Sequence, residues 1–395
     1  MNICFDTFGC RLNRAEALEE EAQAIAKGHR IVKSHGEADL IVIRGCAVTG
    51  KAQHDCETEI KRLKEKYPYK RIWVTGCLPG AKPLVIKDTG GGQKAKVPTR
   101  TARAYLKIQD GCNSACTYCT VPKYRGKSKP LEFDGIIARA KEFLEAGYHE
   151  IVVTGCNLCQ HPQFPEIVEA LCELSPDCRI RLGSVEPGAM AYKIVDLMKV
   201  KPNLCRYLHL SIQSGSQNVL TAMHRPYGTK ELDKLIAYAL KEVPNLGLGC
   251  DMIAGFPGES ELDHRQSTGL FIRHKIVHAH VFPYSERPGT VAAVLPRQVP
   301  TEVRRARARE MAKTADLNHR RFKRRFLNKE TEVVVETKPG DKSIGGWTGE
   351  YLWCECVKTA YTKQRPADAK TGYRKLKIRV MVTEVTDQGL KGKIL

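Results

Sequence analysis

The sequence predicts an α/β multidomain protein: a small Rossmann-like βαβαβ unit, then a partial TIM-like (β/α)6 barrel, then a small C-terminal β-barrel. Three observations carry this. Short β-rich runs alternate with helical patterns up to Gly76, the alternation resumes with longer helices from Tyr105, and after Asn328 short strands lie between Gly-, Pro- and Lys-rich turns.

In the first stretch NICFDTF, DLIVIRG and RIWVTG read as strands, with helices over 13–27 and 48–66 between them. Cys10, Cys46 and Cys77 each lie just past one of these strands, at the sheet end where open α/β folds hold ligands. Residues 79–104 combine Pro, a Gly triplet and scattered Lys/Arg. The expected units are therefore 1–79, a linker over 80–104 and a barrel over 105–285. Barrel strands are expected near YLKIQ, EIVVTG, RIRLGS, RYLHLSIQ, LGLGCDMIA and VHAHVFPY, with helices that include 132–146, 229–242 and 260–275. A basic helical connector follows over 286–328, in which ten Lys/Arg and two acids fall between Arg304 and Arg325. Its last turns, with Arg320, Arg321, Arg324 and Arg325, suit a phosphate backbone, although a solvated helix would look the same. Residues 329–395 suggest a barrel of OB-like size, a kind that often binds RNA.

The chain has 64 Lys+Arg against 44 Asp+Glu, a formal net charge of +20 over 395 residues, which makes a polyanion the first partner to consider. The N-terminus has no basic start followed by an apolar stretch, and no window nears ~20 consecutive apolar residues. A soluble, cytoplasmic protein that engages no membrane is expected. Sixteen cysteines in such a compartment are thiols, and those that cluster favour metal ligation. Cys172, Cys205 and Cys250 sit in apolar runs and read as core residues.

The sharpest signal is KIQDGCNSACTYC. Cys112, Cys116 and Cys119 fall on one loop after the first barrel strand, spaced to wrap a single iron-sulfur cubane. A structural zinc would want a fourth protein ligand. Three thiolates instead leave one iron open to a small molecule. The motif resembles that of the radical S-adenosylmethionine (SAM) superfamily. The resemblance implies that the open iron chelates the amino and carboxylate groups of SAM, whose reductive cleavage gives a 5′-deoxyadenosyl radical. It also implies that Tyr118 contacts adenine and that Gly155 and Asn157 hold the amino end. Glu186, Ser211, Gln213 and Ser214 end later strands and either face SAM or orient loop backbone. The βαβαβ reading gathers Cys10, Cys46 and Cys77 into a second three-thiolate site, the alternative being three unrelated buried cysteines.

Over nearly its whole length the chain resembles the methylthiotransferase family, in TFGCRLNRAEA, GCAVTGKA, VTGCLPG, KIQDGCNSACTYCTVPKYRGKS, HLSIQSGSQNVLTAMHRPY, DMIAGFPGE and FPYSERPGTVAA. The resemblance implies two [4Fe-4S] clusters. One, on Cys10, Cys46 and Cys77, holds the sulfur to be transferred; the other generates the radical that takes hydrogen from carbon 2 of an adenine. It implies a C-terminal tRNA-binding TRAM domain, an electron donor such as flavodoxin or ferredoxin, and a tRNA anticodon loop as partner. The sulfur donor is not legible, and a monomer is expected. KIQDGCNSACTYC, FPYSERPGTVAA and the following RQVP most resemble the branch that acts on N6-threonylcarbamoyladenosine at position 37. The isopentenyladenosine branch, the ribosomal-protein aspartate branch and a non-catalytic RNA-binding iron-sulfur protein are the alternatives.

Four departures stand out. Arg44 and Gly45 replace the family's usual Asn-Thr before the second cysteine. The segment from Cys77 to Cys112 is short. Cys156 and Cys159 form a CNLC pair after the second barrel strand, either a sulfur relay or incidental free thiols. His274, His278 and His280 straddle a helix end and a strand, where polar packing is expected ahead of a metal site.

Overall fold

A computed structural model of the chain describes residues 1–87, 101–337, 344–356 and 376–395. The N-terminal unit runs β1 (Asn2–Thr7), α1 (Arg11–Ala26), β2 (Arg30–Ile31), β3 (Leu40–Cys46), α2 (Gly50–Lys66) and β4 (Arg71–Cys77). Its sheet is parallel throughout in the order β2-β1-β3-β4. The uninterrupted LIVI run makes β3 the central strand, buried along its whole length, as a parallel strand covered on both faces must be. Residues 80–87 return across the sheet: Ile86 is buried there, and Lys27 and His29 donate to the carbonyls of Ile86 and Lys87. The rest of the Gly-rich stretch, 88–100, lies outside the described residues.

The central barrel begins with β5 (Ala104–Lys107), β6 (Gln109–Asp110), α3 (Val121–Arg125), β7 (Lys129–Pro130), α4 (Phe133–Glu145) and β8 (Glu150–Thr154). It continues through α5 (Phe164–Leu174), β9 (Arg179–Leu182), β10 (Ser184–Val185), α6 (Ala189–Val200) and β11 (Tyr207–Gln213). It closes with α7 (Gln217–Ala222), α8 (Thr229–Glu242), β12 (Gly247–Ala254), α9 (Glu261–His274) and β13 (His278–Pro283). The six expected strands are present, but the third is broken at Gly183 into β9 and β10. Two parallel ladders result, β5-β8-β9 and β10-β11-β12-β13, joined by a bridge between Ile180 and Leu204. Alternate strand residues such as Leu106, Val153, Leu182, Leu208 and Leu248 pack outward against the helices. Helix α9 starts where Ser260 and Asp263 form a reciprocal capping box. Antiparallel β6 and β7 pinch the base of the loop that carries Cys112, Cys116 and Cys119.

Helix α10 (Thr301–Arg324) packs Ala308, Met311 and Ala315 into the barrel's helical layer. It leads into β14 (Glu330–Val335), β15 (Ile344–Trp347), β16 (Trp353–Cys356), β17 (Lys377–Val385) and β18 (Leu390–Ile394), a closed barrel in the order β14-β15-β16-β18-β17. Its fastening to the base of the central barrel is ionic. Fully buried Glu150 accepts from Arg181 Nε at 2.7 Å and Arg179 Nη2 at 2.5 Å. The same guanidinium groups donate onward to the carbonyls of Thr348 and Trp347 in the C-terminal barrel. Among the described residues no helix is long and apolar enough to cross a membrane.

Candidate active site: two cysteine triads at the barrel mouth

The N-terminal triad is built by register. Cys46 and Cys77 are Cα partners at the ends of β3 and β4, and Cys10 stands at the start of α1. Cys46 and Cys77 are buried and Cys10 is exposed. A glycine precedes each of them. At Gly9, with φ of +92°, an added Cβ would lie 2.4 Å from Cys46 Cβ and 2.8 Å from its Sγ. Burial pushes the Cys46 thiol up to about 11, and any charge on Cys10 or Cys77 pushes it further.

The departures beside this triad have a structural account. Arg44 is buried against α1, with Nη1 2.6 Å from Glu16 Oε2 and a second pairing to Glu20. Gly45 makes room for Leu78, whose Cδ1 would lie 1.8 Å from a Cβ there. An ion pair thus occupies the position expected to carry Asn, and the backbone that carries Cys46 keeps its course.

The second triad lies on the loop after β6. Cys112 Sγ accepts from Ser114 N at 3.4 Å and Gln160 Nε2 at 3.5 Å, and Cys119 Sγ accepts from Val121 N at 3.4 Å. Cys116 Sγ accepts from Arg225 Nη1 at 3.0 Å. Burial raises the Cys119 thiol to about 11, and the neighbouring cysteines add to the shift.

The SAM residues expected from sequence fall into two groups. Asn157 Nδ2 donates to Glu186 Oε2 at 2.8 Å, and Glu186 Oε1 accepts from Arg225 Nη2 at 2.7 Å, which ties both residues to Cys116. The Ser211 carbonyl accepts from the same guanidinium at 3.3 Å. Tyr118 packs edge-on against Phe256 beside them, and its burial keeps the phenol protonated. At Gly155 a Cβ would press on Gln109 at 3.0 Å, so the chain passes close under the loop. Gln213 turns with φ of +69° at an irregular point in β11. Ser214 stands apart: it is fully buried and bonds Ser267 Oγ at 3.2 Å and the Ser216 amide, so its side chain orients loop backbone.

Two residues that sequence reading passed over connect the site. Arg125, at the end of α3, donates from Nε to Cys77 Sγ at 2.7 Å. Its other donors reach Glu16, Asn13 and Asp110 at 2.8–2.9 Å. Burial alone would raise the Asp110 carboxyl, but Arg125 and Lys107 outweigh it and hold the group well below the ordinary range. Arg225 holds the same place at the other triad. Both arginines stand inside quoted motifs, VPKYRGKS and MHRPY, as charges among turn and apolar residues, which was the available signal.

Cys156 and Cys159 do not face one another as a pair. Cys156 Sγ lies 3.6 Å from Asp110 Oδ1, whereas Cys159 Sγ lies 3.5 Å from the Glu186 carbonyl. Burial pushes Cys159 up to about 12 and raises Cys156 as well. His274 pairs with Asp233. His280 shares Asp251 with His209, at 3.1 Å each, and touches His278 at 3.2 Å. Leu208 and Leu210 face the helices, so His209 faces the lumen, and Ser184 Oγ completes a polar patch there at 3.3 Å from Asp251.

The basic connector divides by side. Arg304, Arg307 and Lys323 turn inward: Arg307 pairs with Glu259, and Lys323 Nζ caps the carbonyls of Thr386 and Asp387. These three positions share the stripe of Met311 and Phe322, so part of the basic run packs against the chain itself. Arg320, Arg321, Arg324 and Arg325 are exposed. Arg320 is held by Asp316 and Asp387.

Three thiols apiece are the donor set an iron-sulfur cluster takes. Among the described residues, only Cys4–Asp6–His35 and His209–Asp251–His280 bring three such ligand atoms all within 4.8 Å, and neither cysteine triad does. The N–H groups aimed at the sulfurs suit thiolates bound to a cationic core.

Comparison with known proteins agrees with this geometry. Residues 106–268 match the radical SAM superfamily and residues 2–94 the uncharacterized protein family UPF0004. A solved structure of the radical SAM methyltransferase TsrM from Kitasatospora setae superposes with a TM-score of 0.54 at 10% identity, over 74% of this chain and 77% of that one, a likeness of fold alone. The chain is a radical SAM enzyme with an N-terminal UPF0004 domain. It is 28% identical to a tRNA-2-methylthio-N(6)-dimethylallyladenosine synthase of Chlorobium limicola, over 98% of this chain and 96% of the relative. It is 29% identical to the threonylcarbamoyladenosine tRNA methylthiotransferase MtaB of Thermotoga maritima, over 90% and 91%. The likeness to these relatives over most of the chain supports an enzyme of the methylthiotransferase type.

Proposed function

We propose that this chain converts N6-threonylcarbamoyladenosine at position 37 of tRNA into its 2-methylthio derivative. The observation that carries the reading is the meeting of two cysteine triads at one barrel mouth, where Arg125 reaches from the barrel to Cys77. Two [4Fe-4S] clusters and SAM supply, when bound, the radical that opens an adenine C–H bond and the sulfur that takes its place.

Cys112, Cys116 and Cys119 would hold one cluster and Cys10, Cys46 and Cys77 the other. Tyr118 walls the adenine side of SAM, and Gly155 lets the backbone approach. Asn157 and Glu186, oriented through Arg225, accept the polar end, with Ser211 and Gln213 beside them. The N-terminal unit covers the mouth and excludes water. The C-terminal barrel and Arg320, Arg321, Arg324 and Arg325 hold tRNA, in the cytoplasm, with the chain working as a monomer and a flavodoxin- or ferredoxin-like protein delivering electrons.

Relatives named for the threonylcarbamoyl substrate and relatives named for the dimethylallyl one both recur at 27–29% identity, so a feature of the site carries the choice. The polar patch of His209, Asp251, His280 and Ser184, whose members bond one another through Asp251, offers donors and acceptors that a threonylcarbamoyl group can use and a hydrocarbon substituent cannot, which favours the threonylcarbamoyl substrate. Nucleoside mass spectrometry on tRNA incubated anaerobically with reconstituted protein, SAM, sulfide and a reductant tests the reading. A methylthio gain on threonylcarbamoyladenosine is expected. A gain confined to isopentenyladenosine would move the substrate to the other branch, and no gain with SAM still cleaved would sink the proposal.

A further inference from the structure

Each triad has one buried arginine that donates to one of its sulfurs. Arg125 serves Cys77 and Arg225 serves Cys116, with side chains only 8% and 5% exposed. The two guanidinium groups are neutralised differently. Glu16 and Asp110 both press on Arg125, at 2.8–2.9 Å, and Asn13 takes one of its remaining donors. Arg225 has one carboxylate, Glu186 at 2.7 Å, and spends its other donors on the Tyr227 hydroxyl and the Ser211 carbonyl.

An N–H donor on a cysteinyl sulfur draws electron density away from the iron it ligates, and a buried cation favours the more negative, reduced state of a nearby cluster. Both effects raise a reduction potential, and both act most strongly at the nearest site. Each arginine points one N–H at a cysteinyl sulfur while its other donors take oxygen acceptors. Arg125 also belongs to the barrel while Cys77 belongs to the N-terminal sheet, so its fork fixes the distance at which its charge acts.

We propose that Arg125 and Arg225 are positioning residues that set the reduction potentials of the two sites separately, Arg125 through Cys77 and Arg225 through Cys116. The inference rests on the two-cluster reading above. It makes the electrostatic balance around Arg125, not the cysteines alone, the determinant of the N-terminal cluster's potential. Glu16 is then the counterweight: removing its charge leaves Arg125 less neutralised and moves the same potential the other way.

The test is an EPR-monitored redox titration of the full chain reconstituted with both clusters. A variant with Cys112→Ala, Cys116→Ala and Cys119→Ala assigns the N-terminal signal. Arg125→Gln should move that midpoint to more negative values and leave the other in place, and Arg225→Gln should do the reverse. Glu16→Gln should move the N-terminal midpoint to more positive values. Unmoved midpoints, or both midpoints moving together in either arginine variant, would overturn the proposal. Should Arg125→Gln fail to retain iron, Glu16→Gln decides alone, and an absent or negative shift there rejects the role of Arg125. Failure of the two-cluster reading would look different, since the unsubstituted chain would then show only one cluster's iron and one signal.

Discussion

Gly9 carries as much of the N-terminal triad as the cysteine that follows it. Its φ of +92° disfavours any side chain, and a Cβ would stand 2.8 Å from Cys46 Sγ. Gly9→Ala should therefore displace Cys46 and cost the chain one cluster's share of iron while leaving SAM cleavage by the other. Iron per chain and 5′-deoxyadenosine release measure this, and a variant with full iron would refute the steric account. The cysteines themselves were legible in the sequence, three by close spacing and three by falling at strand ends. Arg125 and Arg225 were not, because their sulfur partners lie 48 and 109 residues away along the chain and only the fold brings them together. Ser214 shows the converse. A polar residue at a strand end looks like a ligand contact until its hydroxyl is seen bonded to Ser267.

At the scale of elements, α10 shows how charge density misleads when read without a face. Its basic run reads as a helix suited to a phosphate backbone, yet Arg304, Arg307 and Lys323 lie on the buried stripe and stabilise loops of the same chain. The exposed side retains Arg321, Arg324 and Arg325, free of the acids that hold Arg320. Neutralising those three to Gln should weaken tRNA binding and reduce the slope of log K against log salt by about one for each phosphate left without its arginine. Arg320→Gln should change the slope less. Filter binding across a salt series checks both, and equal effects would mean that the ion pairs of Arg320 open on binding. Strands were legible where apolar residues alternated. Among the missed ones, the two-residue β2 and β7 are too short to show a pattern, and β15 and β18 are glycine-bearing IGGW and LKGKI, which carry little β signal until the barrel closes around them. The break between β9 and β10 was equally silent, since Gly183 reads the same in a continuous strand.

At the scale of the molecule, the three units are joined by buried charge. Glu16, Arg125, Asp110 and Lys107 bind the N-terminal unit to the barrel, and Glu150 with Arg179, Arg181 and Arg103 binds the barrel to the C-terminal β-barrel. Burial by itself would raise the Glu16, Asp110 and Glu150 carboxyls, but the surrounding cations hold all three below their ordinary values. Carboxyls depressed in this way stabilise the fold above the unfolded-state value of about 4, and that stability is lost as pH falls below it toward the folded values. Thermal midpoints should therefore fall steeply below about pH 4, on top of a gentler decline that begins below about 6.5, where His278 and His319, held neutral by burial, protonate more readily in the unfolded chain. Glu150→Gln removes one of the three groups and leaves Arg179 and Arg181 buried without their counter-charge, at a cost of about 3–5 kcal/mol near neutral pH. Because the substituted side chain no longer titrates, the gap between variant and unsubstituted protein should narrow on acidification. Denaturant unfolding at neutral and acid pH reads both quantities. A gap that stayed constant with pH would show that Glu150 acts by packing, and that the C-terminal barrel is held by the arginine-to-carbonyl bonds alone.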